Sequence, residues 1–239
     1  MRRALVTGGS GTIGAAICRR LAADGLHVAV HANRHPDRAQ DLVREIRAAG
    51  GSAEGICFDV RDPDATLSAL SALLRDGPVQ VLINNAGIHD DGPMAGMNHA
   101  QWRQVIDVSL NGFFNVTRPL LLPMMRTRWG RIVSLSSVAG IIGNRGQANY
   151  AAAKSGLHGA SKSLALELAS RGITVNVVAP GIIAGHMAEA SLPTEAIERL
   201  VPMKRAGEPH EVASLVAFLV SDQAAYISGQ VISISGAMT

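Results

Sequence analysis

Short apolar runs alternate along the whole chain with longer segments in which apolar residues recur every three or four positions. Unbroken apolar runs are typical of strands buried on both faces, and the longer pattern is typical of helices that cover them. We predict strands over 4–7, 28–31, 53–58, 81–83, 131–136, 173–178 and 230–234, and helices over 13–24, 37–49, 63–75, 101–127, 148–170 and 208–221.

The alternation of strands and helices predicts βαβ units, and therefore an α/β fold whose parallel sheet is covered on both faces. With 239 residues, the chain suits one domain of this class. The segment 182–207 is the least regular and follows the end of a strand. Ligands of open α/β sheets bind outside the carboxyl ends of strands, so we predict that 182–207 is a substrate lid.

Composition excludes several other classes of protein. The net charge is +3, but no dense basic run is present, so nothing indicates nucleic-acid binding. Cys18 and Cys57 lack metal-ligand spacing, which favours a reducing compartment and no metal site. The longest uncharged stretch, 172–188, is interrupted by Pro180-Gly181, and the first residues enter a strand pattern directly. We therefore expect a cytoplasmic protein without a membrane span.

A glycine-rich turn follows the first predicted strand and opens the first predicted helix. Gly9, Gly11 and Gly14 have the G-x-G-x-x-G spacing. Glycine permits a tight turn and lets a pyrophosphate approach the amides at the helix start. The pattern in this context predicts a dinucleotide site. The alternative is a tight strand–helix connection without a ligand.

Residues at three further strand ends bear on the identity of the dinucleotide. Asn33 and Arg34 follow the second strand, where an NAD site usually has an acid for the ribose 2′-hydroxyl. The guanidinium of Arg34 suits a 2′-phosphate instead, which favours NADPH, although a solvated arginine is the alternative. Asp59 could accept from the adenine amino group, and 85–87 could line the cofactor with backbone. Either feature could also be an ordinary turn.

Tyr150 and Lys154 form a Tyr-x-x-x-Lys motif on a predicted helix. Residues i and i+4 share a helix face, so the ammonium can lie beside the phenol. A neighbouring cation lowers the pKa of a phenol and makes it a usable acid or base near neutral pH. The alternative is a buried tyrosine beside a lysine without a catalytic role.

Together these features resemble the short-chain dehydrogenases/reductases over nearly the whole chain. Residues 143–181 and 201–230 are most similar to bacterial 3-oxoacyl-(acyl-carrier-protein) reductases. The resemblance implies a single-domain Rossmann fold over 1–239, with a doubly wound seven-stranded parallel sheet of order 3-2-1-4-5-6-7. It also implies a homotetramer, with helices 101–127 and 148–170 at one interface and 230–239 at another.

The resemblance also implies the roles of individual residues. Ser137 would hydrogen-bond the substrate carbonyl, Tyr150 would give the proton, and Lys154 would bind the nicotinamide ribose and lower the pKa of Tyr150. Arg128 and Arg171 match basic positions that hold the acidic acyl carrier protein next to the site, although solvated arginines are an equal alternative. The implied cofactor-binding residues are Gly8, Ser10, Gly11, Ile13, Gly14, Asn33, Arg34, Asp59, Val60, Asn85, Ala86, Gly87, Tyr150, Lys154, Pro180 and Ile183.

Three positions depart from the family pattern. Thr12 stands where the family has glycine. Ser109 replaces an asparagine that holds a water in the proton relay as a fourth catalytic residue, and we expect Ser109 or its backbone to keep that water with some loss of rate. Gly185 replaces a threonine that hydrogen-bonds the nicotinamide amide, and the nearby His186 is more often incidental than catalytic.

The leading hypothesis is NADPH-dependent reduction of a 3-oxoacyl thioester, carried by acyl carrier protein, in fatty acid or polyketide/polyene synthesis. The nearest alternative is a reductase of another carbonyl, such as a sugar, steroid, quinone or small ketone. Ile141, Ile142 and Met187 suit an acyl chain better than a sugar. A non-catalytic nucleotide-binding scaffold is the remaining alternative, because the usual asparagine and threonine are missing.

Overall fold

The computed structural model describes residues 1–185 and 193–239. Their seven strands form one parallel sheet in the order β3-β2-β1-β4-β5-β6-β7. This order and the helices on both faces confirm the predicted fold class. The strands are β1 Arg3–Val6, β2 His27–Ala32, β3 Ser52–Cys57, β4 Val81–Asn84, β5 Gly130–Leu135, β6 Ile173–Pro180 and β7 Val231–Ile234.

Helices connect the strands and cover the sheet. They are α1 Thr12–Ala23, α2 Pro36–Ala48, α3 Pro63–Leu73, α4 His99–Ile106, α5 Gly112–Thr127, α6 Ala139–Ile142, α7 Ala148–Leu168, α8 Thr194–Leu200 and α9 Pro209–Val220. The helix predicted over 101–127 is present, from His99 to Thr127, but it is not one regular α-helix. Residues Asp107–Asn111 form a π-helical segment between α4 and α5, and this wider turn directs the side chain of Ser109 into the interior.

Two apolar clusters pack on the two faces of the sheet. One lies between the sheet and helices α1, α2 and α9, and the other lies between the sheet and helices α3, α5 and α7. Successive residues of a strand point to opposite faces, as Leu5 and Val6 do in β1. Burial on both faces therefore explains why the strands appear in the sequence as unbroken apolar runs.

The parallel arrangement brings the predicted cofactor-binding and catalytic residues to one edge of the sheet, where all the strands have their carboxyl ends. The segments that follow the strands at this edge are the glycine-rich turn 8–14 after β1, 33–34 after β2, 58–60 after β3, 85–87 after β4, 136–137 after β5 and 181–185 after β6.

No helix among the described residues has the length and apolar character needed to cross a membrane.

The glycine-rich turn is closed against Asn85. The side-chain Nδ2 of Asn85 donates to the carbonyl oxygens of Thr7 (2.9 Å) and Gly8 (3.1 Å). Gly8 has φ +61°, in the left-handed region that favours glycine. A Cβ on Gly14 would overlap the Gly8 carbonyl oxygen and lie 2.8 Å from the Asn85 amide nitrogen. The first turn of α1 can therefore pack here only without a side chain at Gly14.

We predict that Gly14→Ala lowers the free energy of unfolding by about 1–3 kcal/mol, because the added methyl group overpacks the turn. Gly11→Ala is the matched control, since a Cβ there would have one neighbour, the Gly8 carbonyl oxygen at 3.4 Å. Urea unfolding of the two variants measures the difference. Equal stability of Gly14→Ala and Gly11→Ala would contradict this description of the turn.

Candidate active site

Lys154 is a buried cation at the centre of the carboxyl edge. Its side chain lies on α7, the residue is 4% exposed, and its Nζ donates to the carbonyl oxygen of Leu135, the last residue of β5, at 2.8 Å. Burial lowers the pKa of Lys154 to about 8. The Nζ atom lies 5.6 Å from the centre of the Tyr150 ring, so the predicted pair does share one helix face.

Gly87 and Ser109 meet Lys154 from two other elements. A Cβ on Gly87 would lie 3.1 Å from Lys154 Nζ and 3.8 Å from Ser109 Oγ. The Ser109 hydroxyl is buried and has no hydrogen-bond partner among the described residues. A buried hydroxyl in this state is free to bond a water or a ligand group beside the ammonium. The π-helical segment thus places Ser109 where the sequence expected a relay residue.

The pKa of Tyr150 is raised, chiefly because burial disfavours the charged phenolate. Hydrogen bonding from Ser137 acts in the opposite direction, and the charge of Asp91 raises the pKa further. The expectation of a lowered pKa is wrong for the structure, because burial of the phenol outweighs the lowering effect of its hydrogen bond with Ser137. A raised pKa keeps the phenol protonated near neutral pH, as a proton donor requires.

Ser137 follows β5, and its hydroxyl accepts a hydrogen bond from the amide of Ala139 at 3.2 Å. The neighbouring Ser136 fixes this segment to α7. Its hydroxyl donates to the Lys154 carbonyl oxygen at 3.0 Å and lies 2.7 Å from Nε2 of His158. Sequence reasoning missed Ser136 and His158, although His158 stands one helical turn after Lys154.

The loop after β4 is fastened to the start of α7, close to Tyr150. Asn149 donates from its side-chain amide to the Asp90 carbonyl oxygen at 2.9 Å, and Gln147 donates to the Asp91 carboxylate at 2.8 Å. These contacts hold the loop beside the phenol and explain why the Asp91 charge affects it. These polar contacts were not predicted from the sequence, because the residues that form them are distant in the chain.

His31 joins three elements of the predicted cofactor half. Its Nδ1 accepts from the Gly8 amide at 2.9 Å, its Nε2 donates to the Phe58 carbonyl oxygen at 2.9 Å, and its ring packs on Phe58 at 4.2 Å between ring centres. Burial lowers the pKa of His31 to about 4, so the imidazole stays neutral. It therefore fixes the glycine-rich turn relative to β2 and the end of β3. This role of His31 was not predicted from the sequence.

The glycine-rich turn fits a dinucleotide. Helix α1 begins after Gly11 without a side-chain cap and without an acid in its first turn, so its first amides are open to an anion. The hydroxyl of Thr7 accepts from the amides of Asn85 (2.9 Å) and Ala86 (3.0 Å), which ties the segment after β4 to the turn. The predicted residues Gly8, Ser10, Gly11, Ile13, Gly14, Asn85, Ala86 and Gly87 therefore lie together.

The outer part of the predicted cofactor site is more open. Asn33 and Arg34 are exposed after β2. The Asp59 carboxylate after β3 pairs with the Arg61 guanidinium at 2.6 Å, which lowers the pKa of Asp59. The predicted adenine acceptor thus already has a cationic partner, and the neighbouring Val60 is buried.

The segment after β6 is anchored on both sides. The Pro180 carbonyl oxygen accepts from the amide of Val138 at 2.9 Å, and Ile183 pairs with Gly207 as an isolated parallel bridge. The proposed lid segment 182–207 includes residues 186–192, and with them His186 and Met187, which lie outside the described residues. The lid stays a prediction.

Arg128 and Arg171 do not lie beside Tyr150 in the same chain. They stand just before β5 and β6, at the amino edge of the sheet, and the Arg128 guanidinium donates to the Ser170 carbonyl oxygen at 3.1 Å. Tyr150 is near the start of α7 and Arg171 just after its end, roughly 30 Å away along the helix axis. The expectation that Arg128 and Arg171 lie next to the site is therefore wrong within a single chain.

The chain is similar to known proteins over nearly its whole length. The family model for short chain dehydrogenase matches residues 2–196. The chain is 44% identical over 241 residues to the 3-oxoacyl-(acyl-carrier-protein) reductase FabG of Staphylococcus aureus, covering 99% of this chain and 98% of that protein. It is also 44% identical over 237 residues to the 3-oxoacyl-(acyl-carrier-protein) reductase of Synechocystis, covering 98% of this chain and 96% of that protein.

We predict that His31 makes the fold acid-sensitive. In the folded chain its pKa is about 4, below the ordinary value of 6.5, so between these two values the unfolded chain binds a proton that the folded chain does not. Stability is therefore lost as the pH falls through this window, by up to about 3 kcal/mol in total. Urea unfolding of wild type and His31→Asn at about pH 7 and about pH 4.5 measures this share. An equal loss in both proteins would contradict the prediction.

Proposed function

Because the chain belongs to the short-chain dehydrogenase family, an oxidoreductase family that uses nicotinamide cofactors, we propose that it reduces a 3-oxoacyl thioester to the 3-hydroxyacyl thioester with NADPH. The observation that supports this most is the meeting of Ser137, Tyr150 and Lys154 in a chain 44% identical to a 3-oxoacyl-(acyl-carrier-protein) reductase. The thioester carrier is acyl carrier protein, in fatty acid or polyketide/polyene synthesis.

The proton donor of the proposed reaction is Tyr150. A bound nicotinamide would supply the hydride to the carbonyl carbon. Ser137 donates a hydrogen bond to the carbonyl oxygen, and the Tyr150 phenol transfers its proton to that oxygen as negative charge builds there. The raised pKa of Tyr150 keeps the proton on the phenol until the oxygen becomes basic.

Lys154 and Ser109 support the proton transfer. The ammonium is fixed by the Leu135 carbonyl oxygen and lies 5.6 Å from the centre of the Tyr150 ring. It therefore stabilises the phenolate that remains after proton transfer. The hydroxyl of Ser109 stands beside the ammonium across Gly87 and can return a proton towards the site. In this proposal Ser109 replaces the usual asparagine of the relay.

The preference for NADPH rests on charge at the end of β2. Arg34 is exposed there, and the segment 31–34 contains no acid that would bind a ribose 2′-hydroxyl. A guanidinium forms paired hydrogen bonds with phosphate, whereas it gains little from a hydroxyl. We therefore assign the 2′-phosphate to Arg34, with Asn33 beside it.

Carrier docking and assembly are linked in this proposal. Phe114 and Leu122 on α5 and Leu166 on α7 are 58%, 65% and 85% exposed, so these helices present apolar surface suited to a second copy of the chain. Antiparallel packing of the helices would bring Arg128 and Arg171 of one copy to the carboxyl edge of the other. The homotetramer, the carrier contacts, the single domain 1–239 and the cytoplasmic location stay predictions.

We predict that the wild type reduces a 3-oxoacyl thioester faster with NADPH than with NADH. We also predict that Tyr150→Phe lowers kcat by roughly 10²–10⁴-fold, because the proton donor is lost. The measurement is steady-state nicotinamide absorbance, with NADPH binding by fluorescence as the control that the variant still folds. Turnover of free ketones but of no thioester would replace the thioester by another carbonyl. Tight NADPH binding without turnover of any carbonyl would favour the non-catalytic scaffold.

We predict that Ser109→Ala loses roughly tenfold in kcat, since one hydrogen bond of the relay is removed. Ser109→Asn is the matched variant, and we expect it to keep or raise kcat because it restores the usual relay residue. Loss of activity in a folded Ser109→Asn protein would show that the site is built around serine and would overturn this assignment.

A further inference from the structure

Thr12 and Gly185 compete for one space. Thr12 is the first residue of α1, and Gly185 lies in the segment after β6. A Cβ on Gly185 would lie 2.7 Å from Thr12 Cγ2 and 3.2 Å from Thr12 Oγ1. The first of these distances is shorter than a van der Waals contact allows, so a side chain at position 185 would require the Thr12 side chain to move.

The segment around Gly185 is held in place by backbone hydrogen bonds. The Ala184 amide donates to the Gly207 carbonyl oxygen at 2.8 Å, and the Gly207 amide donates to the Ile182 carbonyl oxygen at 2.9 Å. Gly185 itself has φ +131°, a conformation that L side chains rarely adopt. A side chain at position 185 therefore meets backbone strain and, separately, the methyl group of Thr12.

The Thr12 side chain stands between the two segments that frame the predicted cofactor. On one side is the glycine-rich turn, with the uncapped amides of α1 that begin after Gly11. On the other side is the segment that continues from Pro180, whose carbonyl oxygen accepts a hydrogen bond from the amide of Val138, the residue after Ser137. Thr12 is exposed, so its hydroxyl is available to a ligand that crosses from the turn towards Ser137.

The sequence changes at these two positions are reciprocal. The resemblance implies glycine at position 12 and threonine at position 185, and this chain has Thr12 and Gly185 instead. The structure shows that the two positions are in contact, although 173 residues separate them in the chain. Contact gives a physical reason for the two departures to occur together.

We propose that Thr12 is a cofactor-positioning residue, whose hydroxyl donates a hydrogen bond to an oxygen of the bound dinucleotide, and that the missing side chain at Gly185 leaves Thr12 the space for this orientation. The acceptor is a pyrophosphate oxygen or the nicotinamide carboxamide oxygen, because Thr12 lies between the first amides of α1 and the segment after β6. The inference rests on the dinucleotide binding of the proposed function. Thr12 thereby supplies from α1 the hydroxyl that position 185 lacks.

A double-mutant cycle tests the steric part. Thr12→Gly, Gly185→Thr and the double variant are compared by NADPH titration and, without cofactor, by urea unfolding. We expect Gly185→Thr to weaken NADPH binding at least tenfold in the wild-type background and markedly less in the Thr12→Gly background. Backbone strain at position 185 is common to both backgrounds and cancels in the cycle. Equal cost of Gly185→Thr in both backgrounds would overturn the pairing.

Two conservative variants test the hydroxyl. Thr12→Val keeps the shape without the hydroxyl, and Thr12→Ser keeps the hydroxyl. We expect Thr12→Val to raise the NADPH Kd roughly tenfold without changing urea stability, and Thr12→Ser to bind like wild type. An unchanged Kd in Thr12→Val would overturn the role of the hydroxyl.

Titration with 2′-phospho-ADP-ribose, which lacks the nicotinamide, distinguishes the two acceptors. An equal loss for this compound and NADPH in Thr12→Val assigns the pyrophosphate, and a loss for NADPH alone assigns the carboxamide. Wild type that binds neither compound would refute the proposed function together with this inference. Wild type that binds NADPH without any effect of the Thr12 variants would refute the inference alone.

Discussion

The position of the site depends on the hydrogen-bond acceptor available to the buried ammonium of Lys154. Removing Lys154 from water disfavours its charge and lowers its pKa to about 8, and among the described residues its hydrogen-bond partner is the carbonyl oxygen of Leu135. That oxygen belongs to the last residue of β5, so the cation must sit at the carboxyl edge. Tyr150 lies one helical turn before it, and Gly87 and Ser109 close around it. The parallel sheet thus determines the position of the chemistry.

The cofactor half is held rigid by contacts that are independent of Lys154. Neutral His31 bridges Gly8 and Phe58, and Asn85 closes the glycine-rich turn from the other side. Groups that are already in place need no reorganisation when charge develops on a substrate oxygen, which is the principal advantage of a preorganised site. The same rigidity leaves no room for side chains at Gly14, and it makes positions 12 and 185 interdependent.

Much of the fold could be predicted from the sequence because burial on both faces leaves unbroken apolar runs, and because a glycine-rich turn between a strand and a helix has a specific spacing. The π-helical segment Asp107–Asn111 was not predicted, since the apolar pattern over 101–127 was interpreted as one ordinary helix. The pKa of Tyr150 was predicted in the wrong direction because its burial depends on the tertiary structure. The position of Arg171 and the contact between Thr12 and Gly185 likewise required the complete sheet order.

In the proposed reaction, this edge of the sheet directs a hydride to the 3-oxo carbon of an acyl thioester and a proton to its oxygen. The most direct measurement supplies NADPH deuterated at the nicotinamide C4 together with a 3-oxoacyl thioester and examines the product by mass spectrometry. We expect a 3-hydroxyacyl thioester with deuterium at C3 from wild type and almost none from Tyr150→Phe. Unchanged 3-oxoacyl thioester from wild type that binds NADPH would contradict it.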